Sequence, residues 1–133
     1  MKVAYVDSSA LVAMAFDEYQ GHRVREALAG YDRLFSSDLL EAELRSVFHR
    51  EGRPWSDAWV AGVGRVRPEG RLGSLFDRVL SAGFLRGADL WHLACALHLA
   101  ELLDPLPSPP LGILTLDGAQ REAGEALGLE VGP

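Results

Sequence analysis

The sequence predicts an α/β domain, a mostly parallel sheet covered on both faces by helices. Three observations carry this expectation. Short apolar runs of strand length, such as residues 3–6 and 112–116, alternate along the chain with longer segments of helical periodicity. The first run passes straight into a helical pattern, as βα units do. The 133 residues fit one domain, 1–133, long enough to bury a core without disulfides or a structural metal.

The elements follow in order. Residues 3–6, Val-Ala-Tyr-Val, read as a buried strand ending at Asp7. Ser8 and Ser9 then offer an N-cap for a helix through Ala10 to Phe16. Residues 20–29 place Val24, Ala27 and Leu28 on one helical face, with Gly30 as terminator. Leu34-Phe35 is a short strand, and Ser36-Ser37-Asp38 opens a third helix to about Arg50. Its apolar stripe is Leu40, Leu44, Val47 and Phe48, and Gly52-Arg53-Pro54 breaks it. Residues 55–66, with Trp55, Trp59 and Val63, fit a helix that Gly62 and Gly64 weaken. Residues 68–73 form a loop and 75–80 a short helix. The longest helix covers about 88–103 and stops at Asp104-Pro105. Residues 106–110, with three prolines, are irregular. Residues 112–116 are a strand ending at Asp117, 118–127 a last helix closed by Gly128, and 129–131 fit an edge strand.

Composition narrows the function classes. A hydrophobic share of 48% and a charged share of 24% are globular values. The lone Cys95 excludes an intramolecular disulfide and, set in an apolar helical run, reads as a buried thiol. No Cys/His set has zinc spacing. The first apolar run is too short for a signal-peptide core or a membrane span, which points to a cytoplasmic protein. Net charge is −6, unfavourable overall for binding phosphates. Between Arg45 and Arg78, however, seven Arg stand against four acids, net +3, leaving −9 for the remainder. That pattern suits either solvated helix faces or a segment that contacts RNA.

Four acids stand out: Asp7 and Asp117 at strand ends, Glu43 inside the third helix, and Asp89 in the first turn of the longest one. Singly, each has a structural explanation. Asp7 and Asp117 serve as helix caps or turn residues, Glu43 as a solvated helix position, and Asp89 as a partner of the helix dipole. Together they suggest more, because strand ends in parallel sheets are where functional groups gather. Clustered carboxylates repel unless compensated, and a hard divalent cation removes that cost. Metal-held acids on separate elements are what phosphodiester hydrolysis by metal ions needs.

These residues resemble the motifs of PIN domains. Tyr5-Val6-Asp7-Ser8-Ser9-Ala10-Leu11 looks like the first motif, and Ser37 to Arg45 the second. Leu85-Arg86-Gly87-Ala88-Asp89-Leu90-Trp91-His92-Leu93-Ala94 looks like the third, and Leu114-Thr115-Leu116-Asp117 the fourth. The likeness covers nearly the whole chain in the right order. It is nearest to the VapC-type toxins of bacterial and archaeal toxin–antitoxin pairs.

The resemblance implies a three-layer α/β/α, PIN-like domain with about five strands. It implies an endoribonuclease dependent on Mg²⁺ or Mn²⁺, with Asp7, Glu43, Asp89 and Asp117 as metal ligands and Ser9 beside them. In the second motif the resemblance prefers Glu43 to Glu41, because Leu44 follows it directly and Ser37 stands six residues before it, and the two point about 200° apart on a helix, so both cannot face one site. It implies a small antitoxin partner, often one that places a basic residue in the acidic site, and a homodimer. Leu90-Trp91 and Gly118-Ala119 depart from the usual pattern without removing a ligand. His92 and the three Trp are expected to pack. The competing readings are a non-catalytic RNA- or protein-binding module on the same fold, and a phosphatase or DNA-directed nuclease.

Overall fold

The strand Val3–Val6 (β1) is buried at all four positions, the pattern of a strand covered on both faces. The computed structural model that shows this describes residues 1–16, 18–103 and 110–133. After β1 come helices Ser8–Ala15 (α1) and Gly21–Ala29 (α2), strand Arg33–Ser36 (β2) and helix Leu39–Arg50 (α3). Strand Val63–Arg65 (β3) and helices Gly73–Ala82 (α4) and Gly87–Leu103 (α5) follow. Strand Gly112–Leu114 (β4), helix Gly118–Ala126 (α6) and strand Glu130–Gly132 (β5) complete the chain.

The five strands form one sheet in the order β3-β2-β1-β4-β5, with every pairing parallel. Alternation along β1 sorts the core in two. Val3 and Tyr5 pack with Leu75, Val79, Leu93 and Ile113 on the face covered by α4, α5 and α6. Ala4 and Val6 pack with Leu11, Val24, Leu40 and Leu44 on the face covered by α1, α2 and α3. The expected three layers are therefore present. Cys95 is fully buried in the first of these cores, and burial pushes its thiol up to about 12.

Two expectations need correction. Residues 55–66 do not form a helix: only a single 3-10 turn, Asp57–Trp59, precedes β3. Gly64 sits opposite Phe35 in the β2–β3 register, and a Cβ there would lie 2.7 Å from the Phe35 ring. The glycine that weakened the helical reading is the one this strand requires. The cap of α1 is Asp7, whose side chain accepts from the Ser9 N–H, and not a serine. The edge strand near the end is confirmed as β5, one residue later than expected. The expected stop at Asp104-Pro105 and most of the proline segment lie outside the described residues. Among the described residues, no helix is long and apolar enough to cross a membrane.

Strand order reverses direction between β1 and β4, since the chain builds outward to β3 and then returns to the other side of β1. Parallel sheets open a crevice at the carboxyl ends of strands at such a point. Asp7 and Asp117 follow the two strands that flank it.

Candidate metal centre

Asp7 leaves β1 in extended conformation and turns the chain into α1. It is 3% exposed, the floor of the crevice. Its Oδ2 accepts the Ser9 N–H at 3.0 Å, which is the cap. Its Oδ1 faces inward, 3.8 Å from His92 Nε2 and 3.3 Å from Gln120 Nε2. Asp117 repeats the arrangement at the end of β4: its Oδ1 accepts the Gln120 N–H at 2.8 Å and caps α6. The capping explanation thus holds for both residues, and it also fixes where their carboxylates stand.

Glu43 enters from α3 and Asp89 from the first turn of α5. Glu43 accepts a short hydrogen bond from His92. Glu41 faces elsewhere and pairs with Arg45 and Arg65, so the two glutamates separate as helix geometry requires. The ligand atoms of Asp7, Glu43 and His92 lie within 4.8 Å of one another. Asp89 Oδ1 accepts from Gln120 Nε2 at 3.2 Å. Partial burial, then the charges of Asp117, Asp7 and Glu43, hold the Asp89 carboxyl above the usual aspartate range. All four acids are therefore close enough to share one field. Asp7 is buried, while Glu43, Asp89 and Asp117 are half-buried and open the site to solvent.

Ser9, expected beside this cluster, reaches it through its backbone N–H. Its hydroxyl instead accepts from Leu116 N at 2.9 Å and lies 3.3 Å from Thr115 Oγ1, tying α1 to the end of β4.

His92 is fully buried, yet it is more than packing. The Ser37 N–H donates to Tyr5 Oη at 3.1 Å, and the same hydroxyl is hydrogen-bonded to His92 Nδ1, 2.7 Å away. Nε2 faces the Glu43 carboxylate, which can only accept, so Nε2 carries a proton and donates it. This orients the Glu43 carboxylate, and while that bond stands Nε2 has no lone pair to offer a metal.

Sequence reasoning missed Tyr5, Thr115 and Gln120. Tyr5 and Thr115 sit in the first and fourth motifs but look like strand residues. Gln120 stands three residues after the cap Asp117, the spacing of a capping box. Its side chain turns instead to Asp7, Asp89 and Thr115.

The donor set fits a hard divalent cation. Asp7 and Glu43 lie together, Gln120 ties Asp7 to Asp89 and Asp117, and among the described residues His92 is the only basic side chain within ion-pair distance of any of the four. Oxygen-rich, cation-poor clusters of this kind are what Mg²⁺ or Mn²⁺ compensates.

Neither the curated proteins nor the solved structures contain a match to this chain. A family model does match: the PIN domain, over residues 4–123.

Proposed function

This chain belongs to the PIN domain family, and from that membership we propose that it is a metal-dependent endoribonuclease acting as the toxin of a toxin–antitoxin pair. PIN domains are generally nucleases and usually use divalent metals, which supports the coarser part of the reading. The observation that carries it is that Asp7 and Glu43 lie together, with Asp89 and Asp117 tied to Asp7 through Gln120, and with His92 as the only basic side chain in ion-pair reach among the described residues. Those four would hold Mg²⁺ or Mn²⁺. When bound, the ion supplies Lewis-acid activation of water and charge stabilisation at the phosphodiester.

The chain's own residues provide orientation. His92, itself aligned by Tyr5, aims the Glu43 carboxylate. The caps at Ser9 N and Gln120 N aim Asp7 and Asp117. RNA would enter from the solvent side, where Glu43, Asp89 and Asp117 are half-buried. The four acids also suit a partner antitoxin that inserts a basic side chain, and a homodimer is the assembly expected of such a toxin.

The test is cleavage of mixed RNA with Mg²⁺, with Mn²⁺ and with EDTA, beside Asp7→Asn. The expected outcome is metal-dependent cleavage that the variant loses by at least about 10²-fold, a large part of what metal chemistry supplies. Tight RNA binding without cleavage under every condition would favour the non-catalytic module, and cleavage of DNA alone would redirect the substrate class.

A further inference from the structure

We propose that Gln120 is a positioning residue: a neutral clamp that holds the Asp7 and Asp89 carboxylates together for the cation, a role that rests on the metal reading above. Gln120 is fully buried at the start of α6 and meets three of the four acids. Its backbone N–H donates to Asp117 Oδ1 at 2.8 Å. Its side-chain nitrogen donates to Asp7 Oδ1 at 3.3 Å and to Asp89 Oδ1 at 3.2 Å. A primary amide has two hydrogens, one for each carboxylate. Among the described residues, Gln120 is the one hydrogen-bond donor to the Asp89 side chain.

The far end of the amide is anchored as well. Gln120 Oε1 lies 2.7 Å from Thr115 Oγ1. Thr115 Oγ1 already accepts the Asp117 N–H at 3.1 Å. Its single hydrogen has two acceptors in reach, Gln120 Oε1 and, at 3.3 Å, Asp7 Oδ2, and the shorter contact is the one to Gln120, with the amide nitrogen facing the acids. The flipped amide would turn its carbonyl oxygen onto two carboxylates, an arrangement of acceptors alone.

A neutral donor is the group this position calls for. Two carboxylates on separate elements repel, and Asp89, being half-buried, could swing towards water. A Lys or Arg between them would neutralise the pair and compete with the entering cation. An apolar residue would leave Asp89 without a partner. An amide restrains both oxygens and adds no charge, the part that outer partners play for metal ligands.

The experiment is Mn²⁺ titration of the intact protein by calorimetry, with melting temperatures measured in EDTA and in saturating Mn²⁺. Gln120→Met keeps length and removes the donor. The expected result is a Kd for Mn²⁺ weakened about 10- to 100-fold, the range for loss of an outer partner. A packing role alone would lower melting in both conditions and leave Kd unchanged, which overturns the clamp. If Gln120→Met fails to fold, Thr115→Val removes the anchor of the amide, and undiminished Mn²⁺ affinity there overturns it equally. Wild-type protein that binds no Mn²⁺ rejects the metal reading and the clamp with it, an outcome distinct from tight binding by both proteins.

Discussion

At the scale of single residues, the site is an arrangement of acids whose repulsion is built into the fold. Asp89 shows this most directly, because burial and then three neighbouring carboxylates raise its pKa. The sign follows from linkage. A carboxyl with a folded pKa above its unfolded value holds its proton more tightly when folded, so ionisation costs stability. The loss begins as pH climbs past the ordinary aspartate value, about 3.9, and is complete above the raised folded value. In EDTA, Asp89→Asn should therefore melt higher than wild type at neutral pH, since the amide oxygen it introduces can still accept from Gln120. The gap should close as pH falls towards about 4. Melting curves across that range check it, and a gap that does not change with pH would show that charge is not its origin.

At the scale of elements, the basic stretch from Arg45 to Arg78 is not a free arm. Arg45 pairs with Glu41 and Asp57, Arg65 with Asp38 and Glu41, and Arg67 with Asp38. Arg53 donates to the Ala15 carbonyl and stacks on Phe16 and Phe48. The Asp38–Arg67 contact is bidentate and holds the Asp38 carboxyl below its usual range. These pairs fasten β3 and the loop after it to α3, so much of the positive charge is engaged within the fold. Arg71 and Arg78 are exposed and, among the described residues, lack an ion pair. Arg71 also lines a cavity of about 310 Å³ with Phe76 and Trp91. Charge reversal at Arg65 should lower the melting temperature, because the side chain is only 19% exposed and leaves Glu41 short of a partner. Charge reversal at Arg71 should leave melting unchanged and weaken RNA binding several-fold, with a shallower salt dependence. Filter binding in an Asp7→Asn background at two salt concentrations separates these effects. RNA affinity indifferent to Arg71 would remove this stretch from the binding surface.

At the scale of the whole molecule, the sheet order brings the ends of β1 and β4 together, and α3 and α5 close over them from opposite faces. The four acids thus come from parts of the chain that have no local reason to meet. A cation bound by all four should stabilise the native state and leave the unfolded chain unaffected, by about 2.7 kcal/mol at a hundred times Kd. Mn²⁺ should accordingly raise the melting temperature by several degrees, and Asp7→Asn, Glu43→Gln and Asp117→Asn should each reduce that gain. Equal gains in all the variants would assign the effect to non-specific binding.

Much of this is legible in the residues alone. Val3–Val6 and residues 112–114 are apolar without interruption, so their burial as central strands follows from solvation. The α3 and α5 patterns are periodic over several turns, and Asp7, Glu43, Asp89 and Asp117 sit in motifs short enough to read locally. β3 is not legible: its three residues are placed by pairing with β2 and by Phe35 lying over Gly64, and pairing is non-local. Nor are the roles of Tyr5, His92, Thr115 and Gln120. A hydroxyl, an imidazole or an amide shows its donor only when its neighbours are known, and Gln120 lies 113 positions from Asp7 in the chain. The sequence by itself determined which segments are buried and which acids stand at their ends, because burial and capping are decided within a few residues. The tertiary structure decided which neutral groups hold those acids together, because a hydrogen bond depends on distance in space and not on order along the chain.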